Sequence, residues 1–178
     1  AIYNKGGSLS MTNCTLTTNK AARYGGAIYK DGGRLTVMNC ILADNTMNLE
    51  QGYGGAIFNN AGSLTVTNSA FTDNTAYWYG GAIYNNGSLT VTNSTFTNNY
   101  AYGDGGAIYN NGSLTVTNST LKNNTASGDG GAIYNSGGST VTNSTFTNNN
   151  AYTSYGGAIY NHLGGLIVTE STFTNNTA

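Results

Sequence analysis

Proline is absent from this 178-residue chain, and charged side chains make up 7% of it, against about a quarter in an ordinary globular domain. There are two cysteines, one histidine and one tryptophan, and no apolar run long enough to cross a bilayer as a helix. Each shortage removes something. Nucleic-acid binding needs a basic stripe, which six Lys and Arg against seven Asp and Glu do not provide. Two cysteines with the lone His162 do not make a zinc site, and no metal or other cofactor is expected. Glycoside hydrolysis needs two carboxylates flanking one bond. Asp104 and Asp129 are aligned on successive repeats, but they have no partner base, so the chain reads as non-catalytic. Low charge with abundant Thr, Asn, Gly and Tyr suits a stacked β architecture in which polar columns replace a charged surface. The apolar pattern is too regular for disorder.

What the chain has instead is one stretch written repeatedly. Gly80 to Ala101 reads GGAIYNNGSLTVTNSTFTNNYA. Gly-Gly-Ala-Ile recurs at Gly25, Gly54, Gly80, Gly105, Gly130 and Gly156, and Ala1-Ile2 is the back half of a seventh copy. From alanine to alanine (Ala1, Ala27, Ala56, Ala82, Ala107, Ala132, Ala158) the steps are 26, 29, 26, 25, 25 and 26 residues. A period in this range means a solenoid. Inside each unit the period is two: Leu89, Val91 and Asn93 fall on one side, Thr90 and Thr92 on the other, which is strand spacing. Ala82 to Tyr84 and Ser94 to Thr97 add two more short strands, with turn chemistry at Asn86-Gly87 and Asn98-Asn99. The expected fold is all-β, a parallel β-helix of about seven coils of 25–29 residues with three short strands per coil, one continuous domain over residues 1–178. A hairpin fold, which Asn-Gly also suggests, gives no reason for one residue type to recur at one place in every unit. Stacked coils do, since each residue then lies about 4.8 Å above its counterpart.

The inward columns can be named. They are Ile2, Ile28, Ile57, Ile83, Ile108, Ile133, Ile159; Leu9, Leu35, Leu64, Leu89, Leu114, then Ser139 and Leu166; Met11, Val37, Val66, Val91, Val116, Val141, Val168; and Leu16, Leu42, Phe71, Phe96, Leu121, Phe146, Phe173. No single coil buries its own set, so stability is a property of neighbours. Two asparagine columns are expected to turn the chain and to stack as hydrogen-bonded ladders. One runs Asn13, Asn39, Asn68, Asn93, Asn118, Asn143 with Glu170 as the exception, and the other Asn19, Asn45, Asn74, Asn99, Asn124, Asn149, Asn176. Asn93-Ser94-Thr95 and Asn118-Ser119-Thr120 match the N-glycosylation pattern, but the first column is assigned inward, which leaves Asn86-Gly87-Ser88 and Asn111-Gly112-Ser113 as better acceptors.

The paired GGAI and FxxN signatures, Gly80 to Ile83 and Phe96 to Asn99, resemble the repeat of the chlamydial polymorphic outer membrane proteins and of the adhesin-like surface proteins of methanogenic archaea. The resemblance covers all 178 residues. It implies a right-handed parallel β-helix in an exported, extracellular cell-surface protein of the adhesin or autotransporter-passenger kind. The high Asn and Thr content, and cysteine in two units alone, depart from the chlamydial form.

Variation between units marks the candidate functional edge. It concentrates between the FxxN asparagine and the next Gly-Gly, with the longest insertion around Met47 to Gln51, and this edge carries Arg23, Tyr24, Tyr53, Tyr77, Trp78, Tyr79, Tyr100, Tyr102, Tyr152 and Tyr155. Loops on a rigid scaffold are where binding residues sit, and Tyr and Trp are favoured at interfaces. A second aromatic column, Tyr3, Tyr29, Phe58, Tyr84, Tyr109, Tyr134 and Tyr160, is expected to point out and stack on itself. Cys14 and Cys40 occupy a slot that is serine elsewhere, so they are stacked neighbours within reach of a disulfide, with a reduced pair equally compatible.

Three functions are weighed. The first is a non-catalytic structural or adhesive solenoid, a stalk or fibre that presents the aromatic edge. Its partners would be a host or neighbouring-cell surface glycan or protein, together with further copies of itself or flanking repeats through the open coil ends. The second is ice binding through outward T-x-T ladders at Thr65, Thr67, Thr90, Thr92, Thr115, Thr117, Thr140 and Thr142, spoiled at the ends by Ser10, Met38 and Ile167. The third is a polysaccharide-processing enzyme, disfavoured by the missing carboxylate pair. Lys5, Lys20, Arg23, Lys30 and Arg34 gather in the first two coils and the acids mostly beyond them, an asymmetry that favours head-to-tail association. The chain starts inside a repeat and stops one step before the next Gly-Gly, and so reads as a segment of a longer or polymerising protein.

Overall fold

Alternating β-branched residues build strands, and the computed structural model, which describes residues 1–47, 52–152 and 154–178, pairs them in parallel one repeat apart. Three sheets of twelve, seven and six strands form the sides of the solenoid. In a central coil, Ile83–Asn85 and Ser88–Thr92 lie in the first sheet, Thr95–Thr97 in the second and Tyr100–Ala101 in the third. The coil is three-sided as expected, but its sides are made differently. The first two strands share one sheet, and in two coils they run on as single strands, Ile28–Met38 and Ile57–Thr67. The third side comes from Tyr100–Ala101 and its equivalents, a stretch that sequence variation assigns to the connection.

Register makes the columns. Ile83 pairs with Ile57 and Ile108, Leu89 with Leu64 and Leu114, and Phe96 with Phe71 and Leu121. In the central coils these side chains are closed off from solvent, while Val168 and Phe173 in the last coil are 40% and 45% exposed. The phenyl rings of Phe71 and Phe96 lie 4.7 Å apart and 6° from parallel. Each buried side chain contributes about 1.5–3 kcal/mol, so a coil without a neighbour on one side forfeits much of that.

Two corners are turned by single residues in the left-handed region, Asn93 at φ 49° and Asn98 at φ 55°. Asparagine is among the few side chains that accept this conformation. The turn at Asn93 ends the alternation begun at Leu89, so its side chain is exposed, as are Asn13, Asn39, Asn68, Asn118 and Asn143. The inward assignment of this column is therefore wrong, and the objection to glycosylation at Asn93 and Asn118 disappears with it. The third corner explains Gly-Gly. Gly80 sits at φ 69°, and a Cβ on Gly81 would lie 2.1 Å from the carbonyl oxygen of Gly106 in the next coil.

Inside the stack the polar groups are paired in ladders. Asn99 donates from Nδ2 to Asn124 Oδ1 at 2.9 Å and to the Phe71 carbonyl at 3.0 Å, and its Oδ1 accepts from the backbone and side chain of Asn74. The same rung repeats from Asn19 to Asn176. A second buried ladder, in a column to which the sequence reading assigns no role, runs through Asn59, Asn85, Asn110 and Asn135 to Asn161. Lys30 pairs in register with Asn59 and stands where this ladder should continue. It is fully buried, and its Nζ donates to the Ala61 carbonyl. Burial lowers its pKa from the ordinary lysine value, with nearby Asp31 pulling the other way. It therefore adds nothing to a positive surface on the first coils.

Candidate functional site: the aromatic edge

The aromatic edge is set by the backbone just before each Gly-Gly. Tyr24, Tyr53 and Tyr79 are bridged in parallel, and each coil's glycine amide is bonded to the residue at this slot one coil on, as in Gly54 to the Tyr79 carbonyl at 2.9 Å. The rings consequently stack with the coils. Tyr24 and Tyr53 are 5.9 Å apart at 19°, and Tyr53 meets Tyr79 at 5.7 Å and Trp78 at 6.0 Å. Tyr77 stacks on Tyr102 at 5.3 Å and 28°, and Tyr100 meets Tyr102 edge-on at 4.8 Å and 85°.

The expected ridge is thus continuous from Tyr24 to Tyr102 and then interrupted. In the next coil the equivalent stretch is Ser127-Gly128-Asp129, which carries no ring. Tyr155 packs instead against Tyr160 at 6.2 Å, while Tyr152 is 71% exposed. Arg23 is exposed and contributes its carbonyl to the Tyr53 amide. Insertion residues 48–51 lie outside the described residues; Met47 itself is buried as an inward residue of the third sheet.

The second aromatic column stacks as expected and merges with the ridge into one surface. Tyr84, Tyr109 and Tyr134 follow one another at 5.1 and 4.6 Å, within 5° of parallel. Tyr79 leans on Tyr109 at 4.6 Å, and Tyr53 on Tyr84 at 5.3 Å. Burial in this stack raises the phenol pKa values of Tyr84 and Tyr109 and pushes Tyr134 up to about 12, with the carboxylate of Asp104 adding to the last two. These hydroxyls are protonated at any physiological pH.

Two depressions open along this surface. One, of about 350 Å³, is lined by Tyr77, Trp78, Tyr79, Tyr102 and Gly103; the other, of about 270 Å³, by Tyr24, Tyr53, Phe58, Tyr79 and Tyr84. Tyr79 belongs to both, so they are neighbours along the solenoid axis.

The remaining candidate positions are placed as follows. Asp104 Oδ1 accepts the Asp129 amide at 2.8 Å, and Asp129 Oδ1 accepts the Tyr155 amide at 2.9 Å and the Ser154 hydroxyl. The carboxylates therefore act as caps for the coil above, and burial raises the pKa of Asp104. Cys14 and Cys40 are free thiols, each donating to a carbonyl two residues back (Thr12 and Met38) as the serines of that column do. Thr65, Thr90, Thr115 and Thr140 are in one register row and Thr67, Thr92, Thr117 and Thr142 in the next, bordered by Met38 and Ile167. The missed ladder of Asn85 had a signal in the sequence, since Ile83, Tyr84 and Asn85 alternate in, out, in.

A family model described as right handed beta helix region matches residues 1–178. No curated protein and no solved structure matches the chain.

Proposed function

We propose, from the premise that this chain belongs to the right-handed β-helix family, that it is a non-catalytic extracellular solenoid of an adhesin-like cell-surface protein. In this reading the stacked coils are a stalk or fibre, and the aromatic edge is what they present to a host or neighbouring-cell glycan or protein. The supporting observation is the contrast between an interior in which polar groups are tied into ladders and an edge where Trp78 and Tyr102 are 39% and 56% exposed on a rigid backbone. The paired GGAI and FxxN motifs fit the polymorphic outer membrane protein type of repeat, and the setting that type implies is the cell surface.

Stacking direction supports assembly with further coils of the same repeat, whether flanking repeats or a second copy. Each rung of the Asn99 ladder donates to the next higher coil, so Asn19 offers an acceptor at one face and Asn176 a donor at the other. Such faces match head to tail, a heterologous contact that extends rather than closes.

The test is adhesion of beads carrying the chain to cell surfaces. Replacing Trp78 and Tyr102 together by Ala should abolish binding, and replacing Thr90 and Thr92 by Val should leave it intact. Equal binding by both variants would remove the edge from the reading. Ice binding is the second reading, favoured by the registered threonine rows alone. Thermal hysteresis abolished by the threonine variant, with no loss of adhesion in the aromatic variant, would put it first.

A further inference from the structure

Resting on the reading of the aromatic edge as the binding surface, the geometry points to a platform for a neutral pyranose glycan at Trp78, Tyr77 and Tyr102. The depression there, about 350 Å³, falls in the size class of small-molecule sites and accommodates one or two sugar rings. Its rings are held in place before any ligand arrives. Tyr53 at 72° and Tyr79 at 62° set the indole edge-on, and Tyr77 and Tyr102 stack face against face, so each ring holds the other in place.

A pyranose presents an apolar face of C–H groups and a rim of hydroxyls. The face suits an exposed indole or phenol ring. For the rim, the indole N–H of Trp78 and the hydroxyls of Tyr77 and Tyr102 have no hydrogen-bond partner among the described residues. An aliphatic ligand would cover those groups without pairing them, at a cost. Among the described residues no Lys or Arg lines the depression, so a sulfated or carboxylated sugar would bury its charge unpaired. A quaternary ammonium group also seeks aromatic faces, but it needs rings on several sides, and here Tyr77 and Tyr102 share one side with Tyr102 56% exposed. The neighbouring depression shares Tyr79 and extends the platform along the axis. A linear β-linked glycan advances per ring by close to the strand spacing of about 4.8 Å, so successive rings can meet successive coils.

Trp78 is the single tryptophan, so its fluorescence reports this site alone. The chain is titrated with defined neutral oligosaccharides (cello-, chito-, manno- and galacto-tetraoses), with sialylated and sulfated oligosaccharides and choline as contrasting arms, and calorimetry runs in parallel. At least one neutral oligosaccharide should give a saturable emission change. Tyr102→Ala should weaken it about tenfold or more, Tyr102→Phe should weaken it less because the aromatic ring survives, and Tyr152→Ala should leave it unchanged. No saturable response to any neutral oligosaccharide, with circular dichroism unaltered, overturns the inference. So does a response to choline or charged sugars alone, or one that survives Tyr102→Ala. Adhesion through the edge without sugar binding would sink this inference and leave the adhesive reading standing; sugar binding without adhesion would do the reverse.

Discussion

The two buried asparagine ladders use the same side chain at the same spacing, yet one runs unbroken from Asn19 to Asn176 and the other is interrupted at Lys30. In the first, each central rung satisfies its own amide and that of its neighbour, and the corner between the second and third sheets is closed without an orphan atom. In the second, Lys30 sends its charge to the Ala61 carbonyl, and Asn59 Oδ1 is left as a buried oxygen with no hydrogen-bond partner among the described residues. The difference teaches what a ladder is for. Its value lies less in any one amide bond than in leaving no buried group unpaired, and a single foreign rung undoes that for its neighbour.

Breaking the continuous ladder should have the largest effect. Asn99→Ala leaves the backbone amide of Asn74 and one of its Nδ2 protons without an acceptor in a dry interior, at about 1–3 kcal/mol for each stranded group. A loss of about 3–4 kcal/mol is expected in urea unfolding, with the coils on either side of Asn99 losing hydrogen-exchange protection first, because stability is passed between neighbouring coils. A loss under 1 kcal/mol would mean the ladder is ornamental.

Repairing the broken ladder should act with the opposite sign. Lys30→Asn supplies a donor for Asn59 Oδ1 and removes a buried charge, for a gain of about 1–2 kcal/mol. The pH dependence gives a sharper check. The folded-state pKa of Lys30 lies below its ordinary 10.5, so between those two values the unfolded chain holds more protons, and stability rises with pH through that window. The stacked tyrosines oppose this only above about pH 10, where the unfolded phenols ionise before the folded ones, whose pKa values are raised. Wild type should therefore gain stability as pH rises towards 10, and Lys30→Asn should flatten that slope. An unchanged slope would assign it to other groups.

Much of this was legible in the sequence. The apolar columns and the Asn99 ladder follow from recurrence at a fixed step, because parallel stacking repeats whatever one coil does. The failures have one cause. Periodicity says that residues share a column but not which way the column points, and inside-outside parity holds only until the chain turns. Extending Leu89 and Val91 one step to Asn93 carries the parity onto the left-handed corner itself, and Asn85, between the Ala82 to Tyr84 strand and the Asn86-Gly87 turn, goes unassigned although it continues the parity of Ile83. The aromatic edge was visible as sequence variation. Its break at Ser127-Gly128-Asp129 and the sharing of Tyr79 between two depressions depend on how rings lean across coils, which no spacing records.

Ser139 gives the smallest and most discriminating test of the comparison. It replaces leucine in an inward column, between Leu114 and Leu166, and its burial looks like a cost. Its hydroxyl donates to Asn135 Oδ1 at 2.6 Å and accepts from Asn110 Nδ2 at 3.3 Å, so it has joined the second ladder. Those bonds are redundant. Asn110 Nδ2 also reaches Asn135 Oδ1 at 2.9 Å and the Gly112 carbonyl at 3.1 Å, which accounts for both of its protons and keeps Asn135 Oδ1 paired. Ser139→Ala strands nothing, so it should cost under about 1 kcal/mol, near the net worth of one ordinary hydrogen bond. If urea unfolding instead shows a loss as large as that of Asn99→Ala, the cost of a lost rung is not set by the groups it orphans, and the contrast between the two ladders loses its physical basis.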